Sequence, residues 1–442
     1  MSNVQNCTLK HEIFIFLYIS FRSSQIDRSV STNVNTCCYF LMLSNPEVCS
    51  VSCFPFGPVV CGFDFTSGAE LVEGLPDLLS SSSDVLLLLK RVLPSGVLQK
   101  KQRMEQPLMP LESGQYVAER SRDVFVDEEG VKKVAEMFYT LKDSEVFTAQ
   151  GWKMMNPLAP SPDTDEAINW VFVTDTMNFS FWPDREDQQC EVNHRGTTYR
   201  GYMSLCAAVT RAMDEGVPIT DPAYFSQMSE ADLARVLRSD NDTPMPMLKE
   251  RHQALTEAGR VLMQHGGSFR SFISHGQNDA EKMMQYIVDN IPSYRDEADY
   301  EGKRISFYKR AQILVADFWG IMEARGEGNI PNLDYLTMFA DYRVPQALVY
   351  LGALRYSDTL MEALRKGELL RSGERREVEI RGCSIWCVEK IKNHLWWLVR
   401  ERDGESCDIN SALIDFYLWP YAKQHHEEMA HIPIHHTRCI YY

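Results

Sequence analysis

The chain has 442 residues, 44% of them hydrophobic and 11% aromatic, enough for one large domain or two to three ordinary ones with a sizeable core. Its formal net charge of −16 argues against nucleic acid or an anionic membrane as the main partner, because both demand a basic surface. A local basic pocket for a single phosphate stays compatible with that balance.

In chain order, residues 1–109 come first and stand apart. They hold six of the twelve cysteines (Cys7, Cys37, Cys38, Cys49, Cys53 and Cys61), no tryptophan, and 8 basic against 9 acidic side chains. Nearly all of the net charge therefore belongs to residues 110–442. The apolar run from Ile13 to Ile19 is too short to span a bilayer, and no small-residue cleavage site follows it. The cysteines show neither CxxC pairing nor companion histidines at metal-ligand spacing. We expect an atypical Cys-rich extension over 1–109, disordered or lying before the true translation start at Met104 or Met109.

Residues 110–442 read as a single, mainly α domain. Asp127 caps a helix in which Val131, Val134, Phe138 and Leu141 recur at helical spacing. The hairpin signal lies at Glu191 to Tyr199, around Arg195-Gly196. The segment from Tyr202 to Met213 is Ala-rich and stops at Gly216. Ser229 to Asp232 resembles a capping box. Further helices are expected from Ala280 to Asn290, from Phe307 to Ala324, after Asp341 to about Leu354, and from Cys383 to Val399. The stretch Glu377-Val378-Glu379-Ile380 alternates briefly, as a strand would.

Some chemical motifs read blandly. His425, His426, His431, His435 and His436 crowd the C-terminus, but His426 and His431 are five apart, which turns the second ring away from the first, and Pro433 breaks the helix. We expect a solvated helix end rather than zinc. Cys383 and Cys387 read as buried thiols.

Others are more pointed. In Asn178-Phe179-Ser180-Phe181-Trp182, core packing explains the rings but not the amide, so Asn178 or Phe179 is expected to face a ligand. Asp415 lies alone in the apolar run Ile414 to Trp419, where an unpaired carboxylate is costly. Asp341 precedes a helix, whose dipole favours an ionised carboxylate. Such a group suits a developing ribosyl cation. Lys309 is a basic spot on an apolar helix, and from its context alone it is equally a surface lysine.

Taken together, Glu112-Ser113-Gly114, Asp175 to Trp182, Gly201-Tyr202 with Ser204 to Ala208, Tyr308 to Gln312, Phe339 to Arg343, Arg381-Gly382-Cys383, Asp415 with Leu418-Trp419, and Arg438 to Tyr442 resemble the queuosine 5′-phosphate N-glycosylase/hydrolase family. These matches run in order from about residue 110 to the last residue. The resemblance implies a helical fold similar to helix-hairpin-helix DNA glycosylases. It also implies hydrolysis of queuosine 5′-monophosphate to queuine and ribose 5-phosphate, for queuine salvage into tRNA in the cytoplasm. By the same analogy Asp341, Asp415 and Lys309 are catalytic-site residues. Asn178, Phe179, Phe339, Arg343, Phe416 and Trp419 are expected to bind substrate, with Lys309 and Arg343 on the 5′-phosphate. No metal or organic cofactor, no direct nucleic-acid partner and no membrane is expected. Two departures stand out: residues 1–109 match no part of the family, and Pro420 stands where an acidic residue is expected. The alternatives are a non-catalytic helical nucleotide- or partner-binding protein and a nucleic-acid repair glycosylase.

Overall fold

The computed structural model describes residues 106–161, 164–185 and 188–442, together with the backbone of four strands nearer the N-terminus. Those four, β1 (Asn6–Leu9), β2 (Glu12–Tyr18), β3 (Cys37–Asn45) and β4 (Val48–Pro55), pair antiparallel in sequence order. The expected Cys-rich extension over 1–109 is thus described mainly as the backbone of these strands. The rest of that expectation lies outside the described residues, as do the alternative starts at Met104 and the cysteine Cys61. The chain divides into two compact units, residues 1–104 and 105–442.

The second unit is mainly helical with three small two-stranded sheets. It opens with α1 (Pro110–Ala118), β5 (Val124–Val126), α2 (Glu128–Leu141), α3 (Ala149–Met155) and α4 (Asp165–Thr176). The hairpin β6 (Glu191–His194) and β7 (Thr197–Arg200) leads into α5 (Tyr202–Asp214). Next come α6 (Pro222–Phe225), α7 (Glu230–Val236), α8 (Leu248–Gln264), α9 (Phe269–Ile273) and α10 (Ala280–Asn290). A second hairpin, β8 (Glu297–Tyr300) and β9 (Lys303–Ser306), precedes α11 (Lys309–Ile321). The unit closes with α12 (Arg343–Tyr350), β10 (Leu354–Tyr356), α13 (Asp358–Arg365), α14 (Arg375–Asp403) and α15 (Ser411–Gln424).

Local chemistry sets many of these boundaries. Asp127 accepts from the Gly130 N–H, and Ser229 with Asp232 forms a reciprocal capping box. The expected hairpin turns at Arg195 and Gly196, both with positive φ. The second hairpin was not anticipated, since its charged strands carry little apolar alternation. Its turn, Glu301-Gly302, also takes positive φ at both positions. The stretch Glu377 to Ile380 is helical, not extended. It lies in the first turns of α14, where all four side chains are buried. Helices α11 and α12 are both shorter than expected.

The glycines of two family-like segments meet where α1 crosses α14. A Cβ on Gly382 would stand 2.6 Å from Val117 Cβ, and one on Gly114 would stand 2.7 Å from Ile385 Cγ2. Only glycine admits so close a crossing. Two apolar cores result, one built around α4, α5 and α11 and the other around α1, α2 and α14. Phe416 and Trp319 pack against both. The site described below opens at that seam. No described helix is long and apolar enough to cross a membrane.

Candidate active site

Asn178, Lys309, Phe339, Asp341, Arg343, Asp415, Phe416 and Trp419 line one cavity of about 190 Å³. Four separate pieces of chain bring them there. Tyr308 adopts a left-handed φ of 47° just before α11, a conformation that costs a side-chain-bearing residue about 1–3 kcal/mol. That turn delivers Lys309 to the cavity. Lys309 is only 5% exposed, which excludes the surface-lysine reading. Its Nζ donates to the Asn178 carbonyl at 3.4 Å.

Asp341 has the expected capping role and also lines the cavity. Oδ1 accepts from the backbone N–H groups of Arg343 at 2.8 Å and Val344 at 2.9 Å, where α12 begins. Asp415 lies in α15 and accepts the Phe339 N–H on Oδ2 at 2.9 Å. Among the described residues, the second oxygen of each carboxylate accepts no hydrogen bond. Burial pushes Asp341 above its ordinary value; Lys309 and the two helix N–H groups pull the other way. Burial and the charge of Asp341 hold Asp415 well above the carboxylate range. Burial lowers Lys309, while Asp341, Asp175 and Asp415 favour its charged form.

The floor holds a residue that the sequence reading passed over. Asp317, two turns along α11 from Lys309, lines the cavity and accepts the Trp152 Nε1–H at 2.7 Å. Burial pushes it up to about 7. Behind it, Asp175 is fully buried beside the Asn178 amide, and burial and Asp317 hold it well above its ordinary value. Both aspartates carry the signal that singled out Asp415, a lone carboxylate in an apolar run. Tyr202 also lines the cavity, its buried hydroxyl beside the Cys206 thiol.

Two sets of rings form the walls. Phe339 and Phe416 meet edge to face at 5.6 Å. Tyr202 bridges Phe181 at 6.0 Å and Trp419 at 6.2 Å. Phe179 is not in either set. Ser180 takes a positive φ and turns the chain, so Phe179 points behind the cavity, its ring 4.6 Å from the Arg251 guanidinium and 5.2 Å from that of Arg310. Phe181 takes the wall position instead. Cationic side chains gather nearby: Arg200 pairs with Glu191, Arg343 donates to Gln346 at 3.2 Å, and Lys423 stands 4.3 Å from the Trp419 ring centroid. Pro420 lies inside α15 and does not line the cavity.

The bland motifs resolve locally. His426 and His431 are exposed, but His435 is buried against the Tyr442 hydroxyl at 3.2 Å and His436 stacks on Trp182, so the cluster is not simply a solvated helix end. The thiols of Cys383 and Cys387 are buried and donate to the Val124 and Ala353 carbonyls.

Raised carboxyls carry a consequence for stability. The folded pKa of Asp317, about 7, exceeds its unfolded value, so the folded state binds the extra proton between about pH 4 and 7. Stability from this group is present at low pH and is lost as pH rises through 7. Asp317→Asn, which keeps an acceptor for Trp152, is expected to raise Tm at pH 8 and to leave it nearly unchanged at pH 4. Calorimetry at the two pH values checks this.

A mainly helical protein that joins carboxylates, a buried ammonium and aromatic walls in one cavity has the equipment of an N-glycoside hydrolase: flat faces for a base and an anion for a ribosyl cation. The chain belongs to the queuosine salvage protein family, whose model matches residues 158–442. It is 52% identical over 342 residues to the queuosine 5′-phosphate N-glycosylase/hydrolase of Bos taurus, covering 77% of this chain and 100% of that one. The protein of the same description from Schizosaccharomyces pombe is 34% identical over 325 residues, covering 71% of this chain and 91% of its own. That of Sphaerobacter thermophilus is 33% identical, over 74% and 95% respectively.

Proposed function

We propose that this chain hydrolyses the N-glycosidic bond of queuosine 5′-phosphate, releasing queuine and ribose 5-phosphate for queuine salvage. The observation that carries the reading is the meeting of Asp341, Lys309 and Asp415 in one aromatic-walled cavity, from three elements far apart in sequence.

The local chemistry supports a division of labour between the two aspartates. Asp341 is the one with two helix N–H groups on its carboxylate and Lys309 foremost among its cations. It is the group best kept anionic, and it stabilises the ribosyl cation or orients the attacking water. Asp415, with one oxygen anchored on the Phe339 N–H, turns the other to the N–H edge of the deazaguanine. Phe339 and Phe416 hold the flat base.

Lys309 is enclosed by carboxylates and keeps their charge in balance. The 5′-phosphate then falls to Arg343, with Arg200 and Lys423 beside it, instead of to Lys309. Arg343→Ala is expected to raise KM for the nucleotide about 10- to 100-fold, as the loss of a charge-assisted hydrogen bond costs about 1.5–3 kcal/mol. The nucleoside should be affected far less. Equal losses for nucleotide and nucleoside would remove Arg343 from the phosphate.

The same reading places the helical body, residues 110–442, beside the helix-hairpin-helix DNA glycosylases, which act on the same bond type. The acidic balance separates it from a duplex binder, so a free nucleotide is the substrate and nucleic acid is not a direct partner. Buried free thiols such as Cys206 and Cys383 suit the cytoplasm. The test is incubation of the purified chain with queuosine 5′-monophosphate and mass spectrometry of the products. Queuine and ribose 5-phosphate in equal amounts are expected; intact nucleotide would overturn the reading.

A further inference from the structure

Lys309 and Asp341 reach the cavity from different elements, and one buried ion pair behind the cavity joins those elements. Asp296 Oδ2 accepts the backbone N–H of Lys309 at 3.1 Å. The main-chain carbonyl of Asp296 accepts from Phe307 at 2.9 Å, so this residue braces both sides of the strained Tyr308 turn. Arg381, from α14, grips the same carboxylate with two donors, Nη1 to Oδ1 at 2.8 Å and Nη2 to Oδ2 at 2.6 Å. Its Nε donates at 2.9 Å to the carbonyl of Ala340, the residue just before Asp341.

The guanidinium is itself fixed. It lies 4.3 Å from the Phe307 ring centroid and 4.1 Å from that of Tyr442. Neither Asp296 nor Arg381 lines the cavity, and both are buried. A buried ion pair is weak evidence for stability, since apolar packing in its place is often as stable. What this pair has that apolar packing lacks is directionality. One planar fork holds the start of α11 and the loop that carries Asp341 at a set separation.

We propose that Arg381, acting through Asp296 and the Ala340 carbonyl, is a positioning residue that sets the distance between the Lys309 ammonium and the Asp341 carboxylate. The proposal rests on the reading of Asp341 as the anion at the ribose and of Lys309 as the charge that keeps it ionised. A catalytic carboxylate displaced by about 1 Å from the reacting ribose costs about 100-fold in rate. Lysine at 381 keeps the charge but cannot make the three bonds together.

The experiment measures kcat, KM, the pH–rate profile and Tm for Arg381→Lys, Asp296→Asn and the double variant, with queuosine 5′-monophosphate as substrate. Asp296→Asn keeps size and one acceptor, so it carries the test if Arg381→Lys does not fold. Each single variant is expected to lose about 10- to 100-fold in kcat with KM within about threefold. The acid limb of kcat/KM should move to higher pH, because Asp341, which faces Lys309, Arg343 and Asp415, loses part of the lysine's field. The double variant should lose no more than the worse single one, as both break one clamp. Ile391→Val, in the core of the same helix, should lower Tm and leave kcat and the acid limb alone. Variants that keep the wild-type kcat and acid limb, or losses that multiply in the double variant, would overturn the clamp. A wild-type chain that releases no queuine would overturn the functional reading, and the clamp's role with it.

Discussion

Asp341→Asn is expected to lower kcat for queuine release by about 10³-fold, or about 4 kcal/mol, with little change in product affinity. The amide is isosteric and keeps an oxygen for the Arg343 and Val344 N–H groups, so the start of α12 survives. What disappears is the negative charge at the point where positive charge develops on the ribose. The pH profile separates this from a general loss of structure. In the wild type, burial holds Asp341 above its ordinary value, so activity should fall as pH drops through that raised pKa. The variant should lack that limb. Single-turnover measurement of queuine release decides the matter, and a kcat within tenfold of wild type would sink the assignment.

Lys309→Met should lower activity at pH 7 by about 100-fold and restore part of it as pH rises. Methionine matches the length of the lysine stem and fills the same space. Lys309 is the charge that opposes the upward shifts of Asp341, Asp175, Asp317 and Asp415. Without it the carboxyls hold their protons to higher pH, so less of Asp341 is ionised at neutrality. The acid limb should therefore move upward. A profile from pH 5 to 9 checks the sign. An unchanged acid limb, or one moved downward, would show that Lys309 does not govern these carboxylates.

Much of this site was legible, for reasons that differ residue by residue. Asp127 and Ser229 were readable as caps because each partner lies three residues away in the chain. Asp415 stood out because a lone carboxylate in an apolar run needs an explanation. The same argument applied to Asp317 and Asp175 and would have found both. Lys309 could not be placed from its own context, since burial decides whether a lysine on an apolar helix is solvated. The resemblance, built from dispersed segments, drew it into the site. Phe179 was misplaced because adjacent residues in an irregular stretch face different ways, and only the Ser180 turn shows which. The alternation at Glu377 to Ile380 was too short to separate strand from helix, and burial of all four side chains within α14 settled it.

The sequence by itself determined the mainly helical class, the acidic balance, several capped helix starts, and the segments that carry the family resemblance. These depend on composition and on interactions within a few residues, which chain order contains. The tertiary structure alone decided that Asp317 and Tyr202 join the cavity, that Phe179 leaves it, and that Arg381 ties Lys309 to Asp341. The physical reason is that burial and the distance between charges govern these outcomes. Both arise only when α11, α12, α14 and α15 pack together, bringing residues 309, 341, 381 and 415 into one neighbourhood.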